Sequence, residues 1–187
     1  MNEPQAPRQS APAGLIQIEM IDTLSPADLN DLCDATDAAV ESGGGFGWIS
    51  PPAREVMERY WKGVMVVPER HLILARRDEV VCGAVQLVEP SRHNEAQSFC
   101  ANILACFTAP WARGQGAGRK LLETAEKLAA EMGYKVVQVD VRETQQHAIT
   151  LFENMGYVRW GVNPAYAFVN GQMIRGFYYT KTLAAVG

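Results

Sequence analysis

The chain has 187 residues, 48% of them hydrophobic and 20% charged, with a formal net charge of −4 at pH 7. That length suits one domain with a sizeable core. The acidic balance argues against a nucleic-acid partner while leaving room for a local basic patch against phosphates, and no apolar run reaches the roughly 18 residues needed to span a bilayer.

In chain order, Met1 to Gly14 is rich in Pro, Gln and Ala and has no apolar centre. It reads as a disordered leader rather than a signal peptide, and the protein as cytoplasmic. Residues 15–187 read as one domain. Leu15 to Ile21 alternates apolar and polar residues, the pattern of a strand. Ser25 is placed to cap a helix with Pro26 at its first position, ending at Gly43, Gly44 and Gly45. A loop, Ser42 to Ser50, carries Phe46 and Trp48 among glycines. A second helix begins near Pro51 or Pro52 and presents Val56, Tyr60, Trp61 and Val64. Leu72 to Arg76 and Val80 to Val88 form a hairpin around Arg77-Asp78-Glu79.

Phe99 to Thr108 is a long apolar strand. Gln115 to Met132 repeats Leu121, Leu122, Ala125, Leu128 and Ala129 at helical spacing and stops at Gly133. Val136 to Val141 is a β-branched strand. Ala148, Leu151, Phe152 and Met155 mark one more helix face, and Tyr157 to Val162 and Met173 to Leu183 are final strands around Asn170-Gly171. A strand, a crossover helix and another strand imply a parallel pair, and the hairpins imply antiparallel neighbours. The result is an α/β (α+β) mixed sheet with helices on both faces. The four cysteines, Cys33, Cys82, Cys100 and Cys106, form no C-x-x-C pair and no metal-ligand spacing with histidine, so no metal is expected.

Pro110-Trp-Ala-Arg-Gly-Gln-Gly-Ala-Gly118 lies between a strand and a helix start. Glycines there let backbone approach a ligand closely. The unpaired first-turn N–H groups and the helix dipole favour phosphate oxygens, with Arg113 and Arg119 beside them. A tight turn with close helix–strand packing explains the glycines equally well. No Gly-Lys-Ser/Thr follows, which excludes a Walker A loop, and Arg119 stands where a dinucleotide fingerprint needs its third glycine.

The segment Arg113-Gly-Gln-Gly116-Ala-Gly118 resembles the GNAT pyrophosphate signature, [Q/R]-x-x-G-x-[G/A], with the proline at Pro110 three residues before it. Val136 to Val141, Ala148, Leu151-Phe152 and Gly156-Tyr157 resemble that superfamily's following strand–helix run. The likeness covers about Leu15 to Leu183. The ends look most like the tabtoxin-resistance type of small-molecule acetyltransferase, carried by Phe46-Gly47-Trp48, Tyr60-Trp61, Asn163 to Tyr166 and Tyr178-Tyr179.

The resemblance implies the GNAT fold: a mixed central sheet of roughly six to seven strands with helices on both faces and a splayed parallel pair. It implies an N-acetyltransferase that uses acetyl-CoA to acylate a primary amine of a small molecule by direct attack in a ternary complex. Backbone groups of Phe107 and Thr108 would hold the pantetheine arm. The amides of Arg113, Gly114, Gln115, Gly116, Ala117 and Gly118, with Arg119, would cradle the pyrophosphate; Gln145 and Phe152 complete the cofactor set. A homodimer is compatible with the family's habit.

Two positions depart from the pattern. The usual thiolate-protonating tyrosine falls at Phe152, which has no proton to give, leaving Tyr157 or Tyr166 as substitutes. A glutamate that relatives often carry on the preceding strand is Asn102 here. Candidate bases are therefore Glu89, His93 and Asp140, each equally readable as a structural or solvated group. Phe46, Trp48, Tyr60, Trp61 and Tyr166, with Asn102, are the candidate walls of an acceptor pocket, the aromatics otherwise serving as core or lid. A CoA-binding module without catalysis and a peptide N-acetyltransferase are the competing readings.

Overall fold

A computed structural model describes residues 14–44 and 47–184. Seven strands form one sheet in the order β1-β2-β3-β4-β5-β7-β6. They are β1 (Ile16–Ile21), β2 (Arg70–Arg77), β3 (Val80–Val88), β4 (Cys100–Thr108), β5 (Val136–Arg142), β6 (Val158–Val169) and β7 (Gln172–Thr182). The helices are α1 (Pro26–Glu41), α2 (Arg54–Val66), α3 (Ala117–Glu131) and α4 (Gln146–Asn154). Among the described residues only β4 and β5 run parallel; the other neighbours are antiparallel.

Local chemistry sets the boundaries. The Ser25 hydroxyl accepts the Asp28 amide at 3.1 Å and opens α1, with Pro26 where no amide partner is needed. At its end Gly44 N–H returns to the Ala39 carbonyl at 2.8 Å, leaving Gly43 left-handed. Helix α2 begins at Arg54, later than Pro51 or Pro52 suggested, because Ala53 is still extended (φ −55°, ψ 145°). Asp78 and Glu79, both at positive φ, turn the β2–β3 hairpin, and Asn170-Gly171 does the same for β6–β7.

The alternation of each strand feeds two cores. On one face α3 and α4 cover Ile73, Val85, Leu87, Ile103, Val137 and Val139. On the other, α1 and α2 cover Leu72, Leu74, Val81 and Ala84. Trp61 is wholly buried in this second core, and its indole N–H reaches the Thr36 hydroxyl at 3.2 Å. Trp61→Ala should therefore lower stability by about 3–5 kcal/mol in a denaturant melt.

Two irregularities position the site. Pairing between β4 and β5 covers only Cys100–Asn102 against Val136–Gln138, after which the strands part. Ala105 within β4 has a φ of 47°, and the β3–β4 register shifts between Ala84 and Gln86, a bulge that turns the end of β4 away from β5. Strand β6 runs to Val169, well past the expected Val162. Its ladder with β7 slips between Asn163 and Ala167, and the Asn163 side chain caps the Ala165 amide at 3.0 Å. Pro164 interrupts the apolar alternation there, which hides the continuation of the strand in the sequence.

Candidate active site

Helix α3 starts at Ala117 rather than Gln115, because Gly116 is left-handed (φ 83°, ψ 0°). Gly114 is left-handed too (φ 76°), and a side chain at either glycine would project into open space. The first bond of the helix, Lys120 N–H to the Gly116 carbonyl at 3.0 Å, leaves the preceding first-turn amides without intrahelical partners. Gly118 is different: a Cβ there would stand 3.1 Å from Leu151 Cδ2, so this glycine seats α3 against α4. Arg113 is held by its Nε–H to the Thr108 carbonyl at 3.3 Å and by Nη2–H to the Ser42 hydroxyl at 2.7 Å.

These groups border a cavity of about 790 Å³. Of the expected cofactor residues, Phe107, Thr108, Arg113, Gly114, Gly116, Ala117, Gly118, Arg119 and Gln145 line it. Gln115 does not, and its buried Oε1 has no hydrogen-bond partner among the described residues. Phe152 borders a neighbouring cavity instead and packs in the core against Tyr157 and Tyr179, with ring centroids 5.5 and 6.1 Å away. The loop after α1 closes over the first cavity: besides the Ser42 contact, Gln145 Nε2–H reaches the Gly43 carbonyl at 2.8 Å.

The second cavity, of about 570 Å³, opens where β4 and β5 part and meets the first at Cys106, Gln145 and Ala148. Asp140 and Arg142 line it from β5, Tyr60 from α2, and Tyr166 to Val169 from the far half of β6. Tyr166 donates its hydroxyl proton to the Asp140 carboxylate. Burial, then that hydrogen bond, push the Tyr166 pKa well above a free phenol's, so it keeps its proton. The β6 bulge lays the Tyr166 ring directly on Gly176, where any Cβ would overlap the ring. Gly176→Ala should move the tyrosine off Asp140 and lower kcat about 100-fold, with acetyl-CoA affinity retained in a calorimetric titration.

Trp48 stacks edge-on with Tyr60 at 5.1 Å beside this cavity. Phe46 lies outside the described residues. Trp61, expected in the acceptor wall, belongs to the core, because α2 directs it beneath the sheet rather than toward the cavity. Asn102, Glu89 and His93 line neither cavity. Register explains why: Val88 pairs with Asn102, six residues before Thr108, which puts this end of the sheet roughly 20 Å from the glycine loop.

Glu89 there accepts bonds from His71 Nε2 at 3.0 Å and Tyr134 Oη at 2.8 Å. Burial raises its pKa, but the His71 and Tyr134 bonds together outweigh that and bring it below the ordinary value. Glu89→Gln should then destabilise the fold fully above the unfolded pKa of about 4.3, the loss shrinking as pH falls through the lower folded value, as read from melts against pH. Tyr157, the other substitute acid, is buried and borders neither cavity. Cys106 sits where the cavities meet, but burial pushes its pKa up to about 12, so the thiol stays protonated and is a poor nucleophile.

Sequence reading missed Arg70 and Gln86. Gln86 is the one strongly polar side chain in the apolar run Val80 to Val88, and it is wholly buried. That interruption was the available signal.

The acetyltransferase (GNAT) family model matches residues 34–157. An "Uncharacterized N-acetyltransferase in hisH-hisA intergenic region" of Azospirillum brasilense is 56% identical over 131 residues, covering 70% of this chain and 78% of that protein. An N-acetyltransferase from Staphylococcus aureus Mu50 shares the fold with a TM-score of 0.77 at 14% identity, over 91% of this chain and 99% of that one. A GNAT superfamily phosphinothricin acetyltransferase from Sinorhizobium meliloti, solved in complex with acetyl-CoA, has a TM-score of 0.72 at 18% identity, over 90% of this chain and 88% of its own. With a splayed parallel pair, a glycine turn open to a cleft and a family match across most of the domain, this chain belongs to the acetyltransferase (GNAT) family.

Proposed function

We propose that the protein is an acetyl-CoA-dependent N-acetyltransferase that acylates a primary amine of a small molecule by direct attack in a ternary complex. One observation carries this reading: the cavity bordered by the glycine turn joins a second, smaller cavity at Cys106, Gln145 and Ala148, beside the gap between β4 and β5. The residues present fit the cofactor. Open left-handed glycines, unpartnered first-turn amides and the Arg113 guanidinium suit a diphosphate. The strand gap suits an extended arm that needs backbone hydrogen bonds from Phe107 and Thr108.

Acetyl-CoA, when bound, supplies an activated acyl group with a thiol leaving group. The protein's part is to present a neutral amine to it. Asp140 is the candidate acceptor of the ammonium proton, and Tyr166, whose hydroxyl donates to Asp140, holds the carboxylate in place. Phe152 has no proton for the departing sulfur, and none is obligatory, since a thiolate with an ordinary pKa of about 8.5 leaves unprotonated and takes its proton from water. The protonated Cys106 thiol supports direct attack over a covalent enzyme intermediate.

The restricted second cavity, walled by the β6 arm, supports a small acceptor over a protein chain. The likeness to the tabtoxin-resistance type rests on the sequence, including Tyr60-Trp61 and Asn163 to Tyr166. The test is an acceptor screen with acetyl-CoA, read by thiol release and product mass. Acetylated small amines are the expected result. Acetyl-CoA binding with no thiol release from any amine sinks the enzymatic reading, and modification of peptides alone sinks the small-molecule one.

A further inference from the structure

Two arginines share the second cavity with Asp140. Arg70 and Arg142 both line it, and neither has an Asp or Glu partner among the described residues. Arg54, Arg76 and Arg175, by contrast, each sit against a carboxylate. Arg113, which faces the cavity suited to a diphosphate, is likewise without an acid among the described residues. In a chain of net charge −4, arginines without a carboxylate border the two places where a ligand fits.

Arg70 is also deliberately oriented. Its Nη1–H donates to Gln86 Oε1 at 3.0 Å, and Gln86 Nε2–H donates to Tyr60 Oη at 2.9 Å. Gln86 is 0% exposed, between Val85 and Leu87. A buried amide costs stability unless both its ends are bonded. An apolar residue would fill this position in the core without that requirement. What the glutamine adds is a fixed guanidinium and a fixed phenol at one end of the cavity.

Arg70 therefore stands apart from Asp140 along the cavity. Asp140 and Tyr166 stand at the β5 side. Gln86, which marks the tip of Arg70, pairs with Leu104 of β4, and Asp140 lies beyond the strand gap. One strand spacing and the wider gap, together more than about 10 Å, separate them. Arg142 lies two residues past Asp140 on the same face of β5 and adds positive potential.

Building on the proposed acetyl transfer, we propose that the acceptor is an amine that also carries a carboxylate several bonds away, the amine at Asp140 and the carboxylate at Arg70. The planar guanidinium fork matches a carboxylate with paired hydrogen bonds. Tyr60, whose oxygen already accepts from Gln86, keeps its own proton to donate to the same anion. Gln86 is a positioning residue that acts through Arg70.

The test compares matched acceptors with acetyl-CoA present: 4-aminobutyrate against butylamine, and 6-aminohexanoate against hexylamine. The carboxylated member of at least one pair should show a kcat/KM at least tenfold higher. Arg70→Gln should raise the KM for that acceptor roughly 10- to 100-fold and erase the preference, with Arg70→Lys between the two. Gln86→Met should raise the same KM with kcat unchanged, whereas general loosening of the fold would lower kcat as well. Calorimetric acetyl-CoA affinity reports whether each variant is folded. Neutral amines acetylated as well as their carboxylated partners, with the same ratio in Arg70→Gln, overturn this inference and leave acetyl transfer standing. A protein that neither binds acetyl-CoA nor releases thiol with any amine overturns the acetyltransferase reading, and this one with it.

Discussion

Gly116→Glu should abolish acetyl-CoA binding, seen as loss of the calorimetric signal or at least a 100-fold weaker affinity. Two costs add at this position. A side chain at φ 83° pays for a left-handed conformation, roughly 1–2 kcal/mol. The larger cost is electrostatic: the Cβ points into open space inside the cleft, so the carboxylate would stand where the diphosphate fits. Gly116→Ala separates the terms, since it carries the strain without the charge, and should weaken binding only about tenfold. An unchanged affinity in Gly116→Glu would remove the glycine turn from the cofactor site.

Replacing the carboxylate at the second cavity should leave cofactor binding alone and stop the chemistry. Asp140→Asn is close to isosteric, and kcat should fall about 10²- to 10⁴-fold, the usual worth of a positioned base. The deficit has a definite pH dependence. An alkyl amine with a pKa of about 10.4 is almost wholly charged at neutral pH. As pH rises toward that value, solvent supplies the neutral amine, so the variant should recover relative to the wild type. Tyr166→Phe, which removes the hydroxyl bonded to Asp140 but leaves the carboxylate, should cost less and show no such recovery. Full activity of Asp140→Asn at neutral pH would mean that the carboxylate only anchors Tyr166. In either variant acetyl-CoA affinity should match the wild type, since Asp140 and Tyr166 border only the second cavity.

The glycine turn of the candidate site was readable from the chain for a local reason. A strand end, three alternating glycines and an amphipathic helix occupy consecutive residues, and their dihedral requirements and unpaired amides follow from the residue types alone. The same holds for the Asp78-Glu79 and Asn170-Gly171 turns and for the Ser25 cap. The candidate bases could not be sorted in this way. Glu89 and Asp140 are both carboxylates at the edges of β-rich runs, and nothing near either in sequence tells them apart. Tertiary pairing does: Glu89 falls beside His71 and Tyr134 at one end of the sheet, and Asp140 beside Tyr166 in the gap.

Trp61 and Tyr60, adjacent on one helix, were assigned alike from the sequence, yet one fills the core and the other borders the cavity. Rotation of α2 against the sheet decides that, and the rotation depends on Thr36 of α1 and Gln86 of β3, which lie far away in the chain. From its order of residues alone this protein determines an α/β domain with a glycine turn at a helix start, because turn geometry and hydrophobic period are set within a few neighbouring residues. The acceptor end exists only after seven strands have found their register, since Arg70, Gln86, Asp140 and Tyr166 come from four different strands and meet through long-range pairing.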